Sequence, residues 1–174
     1  MIVGITGLVI PESLSLDATL ASIRRDGYEA LELALRDQGW FSMESSDADL
    51  AAIAGKAREA GVAVTSVCPA FRRGRPDLMS ADPGVRKAGI ATVVEIMRRT
   101  RAVGAETVLL VPGSVTPELC YDDAYRNAVR SLRRLAPVAE DMGVRLAVEY
   151  VWNKFLLSPL EFRRFLEEVD SPNV

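Results

Sequence analysis

A parallel α/β fold of about five βα units in sequential order follows from three features of the sequence. Gly27-Tyr28, Gly61-Val62, Gly104-Ala105 and Gly143-Val144 each close a helical pattern and open an apolar one. They recur at roughly 30 to 45 residues, the length of a βα unit. The apolar runs are short and saturated rather than strictly alternating, as in strands covered on both faces. Right-handed crossovers would set every helix on one side of a curling sheet and gather the strand C-terminal ends on one rim. A flavodoxin-like doubly wound sheet is the alternative. Its nucleotide-binding version lacks support, because Gly4-Ile5-Thr6-Gly7 has no downstream glycine to complete a phosphate loop.

Each element has its own justification. Ile2 to Gly7 reads as strand 1. Asp17 is a candidate N-cap for a helix over 18–25, with Leu20 and Ile23 inward. Tyr28 to Leu35 reads as strand 2, followed by a loop carrying Trp40 and Phe41. Asp47 would cap a helix over 48–60 with Leu50, Ile53 and Ala57 at helical spacing. Val62 to Val67 reads as strand 3. A long loop follows from Cys68 to Asp82, with Arg72, Arg73 and Arg75. Those arginines could meet a phosphate, although a solvated charged loop explains them as well. Pro83 suits the first position of a helix over 83–102, with Ile90, Val93, Val94 and Met97 inward. Glu106 to Val111 reads as strand 4. The stripe Tyr125, Ala128, Leu132, Leu135, Ala139 and Met142 predicts a helix over 121–142, with Arg126, Arg130 and Arg133 outward. Val144 to Val148 reads as strand 5. Ser158-Pro159 opens a last helix through Val169.

Composition narrows the function. The 174 residues suit a single domain over 1–174, and 49% hydrophobic content supports a packed core. Net charge is −3 with basic and acidic residues interleaved, so nucleic acid is a poor partner. No apolar run reaches the ~20 residues of a membrane span, and the N-terminus reads as a strand rather than a leader. Cys68 and Cys120 are too few for a disulfide framework, which points to a reducing cytoplasm. There is no histidine, which excludes Ser-His or Cys-His nucleophiles and His-based zinc sites within this chain.

The chemistry concentrates after strand 5. That run ends in Glu149, and the chain turns through Tyr150, Val151, Trp152, Asn153 and Lys154. A carboxylate at the end of a parallel strand, followed by aromatic, amide and ammonium groups, has the composition of an active-site rim. The alternative has Glu149 simply facing water and Trp152 and Phe155 in the core.

The segment VRLAVEYVWNKFLLSPLEF, 144–162, resembles the sugar phosphate isomerase/epimerase family of xylose-isomerase-like TIM barrels. Gly27 to Leu33 is similar to that family's strand 2, and Asp170 to Val174 to its lead into strand 6. The resemblance implies an incomplete TIM-type (β/α) barrel, the N-terminal five-eighths, with strands 6 to 8 absent. It implies that Glu149 is both metal ligand and proton-transfer carboxylate, and that a divalent metal (Mn, Mg or Co) polarises a sugar substrate whose proton moves through an enediolate. It further implies that Glu32, Cys68, Trp152, Asn153 and Lys154 are substrate-binding. An ion pair with a rim arginine is the alternative for Glu32. The family's remaining ligands come from strands 6 to 8, so metal binding here would be weak or absent and the chain alone inactive. A non-catalytic module that binds a sugar or forms an assembly is the alternative function. Nuclease chemistry of a related barrel is disfavoured by the acidity and the missing histidines. An open sheet would leave strands 1 and 5 as bare edges, with Ile2, Val3, Ile5, Leu146 and Val148 too apolar to face water, which predicts a homodimer.

Overall fold

The computed structural model describes residues 1–71 and 75–174, so Arg72 and Arg73 lie outside the described residues. Five strands form one sheet in the order β1 (Gly4–Thr6), β2 (Ala30–Leu35), β3 (Ala63–Pro69), β4 (Thr107–Leu110), β5 (Arg145–Val148). Neighbouring strands run parallel, and the sequential order excludes the doubly wound alternative. Among the described residues, five α-helices alternate with the strands: α1 (Leu16–Arg25), α2 (Asp47–Glu59), α3 (Pro83–Ala102), α4 (Tyr121–Met142) and α5 (Pro159–Val169). The junction glycines act as read: Gly27, Gly61, Gly104 and Gly143 hold φ of 84°, 66°, 85° and 62°, a backbone region open to glycine at no steric cost. Among the described residues no helix is long and apolar enough to cross a membrane.

Two helix starts differ from the sequence reading. Ser15, not Asp17, caps α1, its hydroxyl accepting from Ala18 N. Ser46, not Asp47, caps α2 in a reciprocal box with Asp49. In both cases the acidic residue falls in the first turn, where it meets the positive end of the helix dipole. β1, β2, β4 and β5 are shorter than read, with β1 only three residues, whereas β3 starts one residue later than read and extends to Pro69.

The chain divides into two compact units, residues 1–73 with 98–108, and residues 74–97 with 109–174. In the first, β2 is buried along its whole length except at Glu32, which explains its unbroken apolar run. Leu20 and Ile23 of α1 and Leu50, Ile53 and Ala57 of α2 complete that core. Arg99, at the end of α3, is 6% exposed and donates from Nη1 to the carbonyls of Ser42 and Ser45 at 3.0 and 2.7 Å, stapling the turn before α2. At the β2–β3 register shift, Leu31 pairs with Val64 and Glu32 with Ser66, so Thr65 is the extra residue of a bulge. In the second unit, Ala128, Leu132, Leu135 and Ala139 of α4 are buried as their spacing predicts. Tyr121, Tyr125, Phe155 and Phe165 form an aromatic cluster of tilted and edge-on pairs, with ring centroids 5.4 to 6.3 Å apart. The tail lies against β5: Leu146 N donates to Asn173 O at 2.8 Å, and Asn173 Nδ2 to Val144 O at 2.8 Å. The expectation of a bare β5 edge is corrected on this point, since the chain's own tail pairs with Leu146, which is 1% exposed.

Gly7 closes β1 for a steric reason. A Cβ there would stand 2.9 Å from both Ala34 N and Glu32 O of the neighbouring backbone, which cannot yield as a side-chain tip would. Gly7→Ala should therefore destabilise the chain by about 1–3 kcal/mol, the usual range for overpacking, read as a lower urea midpoint.

Candidate functional site

Strand geometry sets the first group of residues. Thr6, Glu32 and Ser66 are register partners on β1, β2 and β3 and so share a face. Thr6 Oγ1 donates to Glu32 Oε1 at 2.8 Å, and Ser66 Oγ to Glu32 Oε2 at 2.9 Å. The carboxylate is held by two hydroxyls rather than by a rim arginine. The arginine after β2, Arg36, instead pairs with Glu12 and donates to the carbonyls of Gly7 and Ile10, tying down the loop after β1. Cys68, near the end of β3, is buried at 5% exposure.

The second group sits on the strap between β5 and α5, residues 149–158. Glu149 N donates to Leu110 O at 2.9 Å, so Glu149 occupies the last rung beside β4. Its side chain is exposed, and no described residue donates to it or pairs with it. From there the strap alternates between solvent and core. Trp152 is 97% exposed, Asn153 7%, and Phe155 and Leu156 0%. The reading that places both Trp152 and Phe155 in the core holds only for Phe155. Asn153 Nδ2 donates to Gly113 O at 2.8 Å and Asn153 O accepts from Val115 N at 3.1 Å, while its Oδ1 is buried without a partner. Lys154 is exposed. Lys154 and Leu156 hold φ of 60° and 57°, uncommon for L residues.

Two residues that the sequence reading did not single out anchor the far end of the strap. Tyr121 Oη donates to Glu161 Oε1 at 2.6 Å and accepts from Leu156 N at 3.0 Å, and Glu161 Oε2 accepts from Leu157 N at 2.8 Å. The signal existed in Ser158-Pro-Leu-Glu161, a capping-box pattern. Ser158 does cap α5, but the Glu161 carboxylate reaches one residue beyond the cap. Burial and the Glu161 carboxylate push the Tyr121 phenol up to about 12. Burial also raises the Tyr125 phenol, assisted by Glu168.

Among the described residues, the donor set does not assemble a metal site. Among the described residues no group of three or more His, Cys, Asp or Glu side chains comes together. A hard divalent cation takes six or more oxygen ligands, and one exposed carboxylate supplies one or two.

A family model described as "Xylose isomerase-like TIM barrel" matches residues 20–174. No curated protein sequence matches this chain. Among solved structures it is similar to L-ribulose 3-epimerase, at 24% identity and a TM-score of 0.81, covering 99% of this chain and 59% of that one. It is similar to D-psicose 3-epimerase from Clostridium cellulolyticum H10, solved with D-tagatose, at 21% identity and a TM-score of 0.83, covering 100% and 62%. It is also similar to IOLI protein with a binding zinc atom, at 17% identity and a TM-score of 0.78, covering 100% and 61%. At these identities the likeness is one of fold, and this chain spans about three fifths of each.

The Tyr121 anchor makes stability fall in alkali. A tyrosine ionises near 10 when unfolded, whereas the folded phenol stays neutral to about 12. The stabilisation from the neutral phenol is complete below pH 10 and is lost as pH rises to 12. Urea midpoints of the native chain should fall more steeply across that window than those of Tyr121→Phe.

Proposed function

Because the chain belongs to the xylose isomerase-like TIM barrel family, we propose that it carries the proton-transfer half of a sugar isomerase or epimerase site, with Glu149 as the base. The observation that supports this most directly is the Glu149 carboxylate, exposed on the last rung after β5 and free of any described protein partner. A carboxylate without fixed donors keeps its lone pairs for a substrate C–H or hydroxyl proton. Such a base removes the proton next to a sugar carbonyl. Returning it at the neighbouring carbon isomerises the sugar, and returning it to the opposite face of the same carbon, which needs a second acid, epimerises it. Trp152 offers an uncovered ring to the apolar face of a sugar, and Lys154 a cation to its oxygens. Asn153 holds the strap rather than the sugar, through Gly113 and Val115. Glu32, held by Thr6 and Ser66, is suited to accept hydroxyl hydrogen bonds from a substrate through its remaining lone pairs. The family's divalent metal would need donors beyond those this chain brings together.

A second reading, sugar binding without turnover, is favoured by the lack of a three-donor group among the described residues. Incubating the chain with D-fructose in heavy water separates the two. Deuterium entering the carbons beside the carbonyl, and falling to the buffer rate in Glu149→Gln, supports the proton-transfer role. Saturable fructose binding with no exchange supports the binding module. Exchange that survives intact in Glu149→Gln rules out Glu149 as the base.

We also propose that the chain associates as a homodimer. The end strand β1 and its flanks leave Ile2, Val3, Leu8 and Val9 between 48% and 68% exposed, an apolar strip suited to a second copy. Sedimentation should return twice the 19.0 kDa chain mass, shifting toward monomer in Val9→Glu.

A further inference from the structure

Arg86, Arg130 and Arg134 line one cavity of about 140 Å³, together with Pro83, Ile90 and Ser131. Arg86 lies in the first turns of α3. Arg130 and Arg134 stand one turn apart on α4 and therefore on the same face. Among the described residues, no carboxylate lines the cavity. Carboxylates neutralise several of the other surface arginines, although Arg24, Arg58 and Arg145 also lack an acidic partner among the described residues. Arg25, Arg36, Arg98, Arg126 and Arg164 each pair with an Asp or Glu, in a chain whose acids outnumber its Lys and Arg by 24 to 21. Among the described residues, Arg130 and Arg134 have no such partner. Arg86 donates from Nη1 to the carbonyls of Ser80 and Ala81 at 2.6 and 3.0 Å, which orient the guanidinium without neutralising it.

Like charges one turn apart repel, and here a third cation faces the same space. The first turn of α3 adds no acidic residue to offset its positive end, and the carboxylate of Asp82 before it is engaged by Gly84 N at 2.7 Å. The Ser131 hydroxyl donates to Leu78 O at 2.9 Å, so the guanidinium groups supply the cavity's side-chain N–H donors. Planar forks of N–H groups match the oxygens of a tetrahedral dianion two at a time. At ~30 Å³ per water, the space takes about four or five waters, the scale of one phosphoryl group rather than a nucleoside.

We propose that this cavity is a phosphate-binding site, in which Arg86, Arg130 and Arg134 hold the dianionic phosphoryl group of inorganic phosphate or of a small phosphorylated metabolite. It uses none of the residues of the strap that carries Glu149, and does not depend on the function proposed for them.

Calorimetry of the 174-residue chain at pH 8 and fixed ionic strength tests this, with inorganic phosphate as the probe. Saturable binding at one site with Kd below ~1 mM is expected, weakened about tenfold or more in Arg130→Gln and in Arg134→Gln and unchanged in Glu149→Gln. Circular dichroism of the two arginine variants should match the parent, since both side chains project from an exposed helix face. Arg134→Lys, which keeps the charge and loses the fork, should bind with intermediate affinity. Fructose 6-phosphate tighter than phosphate, with free fructose inert, identifies a phosphorylated metabolite as the source, and equal affinity identifies phosphate itself. Absence of saturation, equal affinity in folded Arg130→Gln and Arg134→Gln, or the same heat from chloride overturns the proposal.

Discussion

The strap after β5 depends on hydrogen bonds that hold it where its own backbone does not favour. Lys154 and Leu156 both adopt left-handed φ values, at a cost of about 1–2 kcal/mol each for residues with a Cβ. Burying Phe155 and Leu156 returns about 1.5–3 kcal/mol each. The two sums are comparable, and the bonds that Asn153 donates to Gly113 O and that Tyr121 and Glu161 accept from Leu156 N and Leu157 N add to the favourable side. Those bonds fix the alternation by which Phe155 enters the aromatic cluster while Trp152 and Lys154 turn to solvent. The exposure of Trp152 and Lys154 is therefore set by groups that are themselves buried or half-buried.

The carboxylates Glu32 and Glu149 show how neighbours assign different roles to one functional group. Glu32 accepts from a hydroxyl on each flanking strand, which fixes its orientation at the centre of three register-matched residues. Glu149 lies at a strand end with its carboxylate unengaged by the described residues. The first is a fixed acceptor, and the second presents its lone pairs to solvent.

Much of this was legible in the sequence, for identifiable reasons. Each helix-to-strand junction carries a glycine in a left-handed turn, so the spacing of the units and the order of the sheet could be read directly. The amphipathic stripe of α4 and the Ser-Pro start of α5 gave both helices with their observed bounds. Caps were misassigned where two candidates adjoin: Ser15 and Asp17, or Ser46 and Asp47, differ in role only through backbone angles that the sequence does not encode locally. Arg99 was invisible as a core residue because its Nη1 donates to carbonyls more than fifty positions away. The Tyr121–Glu161 anchor was missed for the same reason, as was the convergence of Arg86 with two arginines on another helix. Periodicity reveals which face of a helix is apolar, but not which polar side chains from distant segments meet.

The placement of the two tryptophans has a practical consequence. Trp40 belongs to the first compact unit and is partly buried, with its indole N–H donating to Leu14 O at 3.2 Å. Trp152 belongs to the second and is almost wholly in water. Each unit thus carries its own intrinsic fluorophore, in surroundings of different polarity. Emission from Trp152 is expected to the red and open to collisional quenching by iodide, and that from Trp40 further to the blue and less accessible. A single unlabelled sample can report separately on the loosening of each unit.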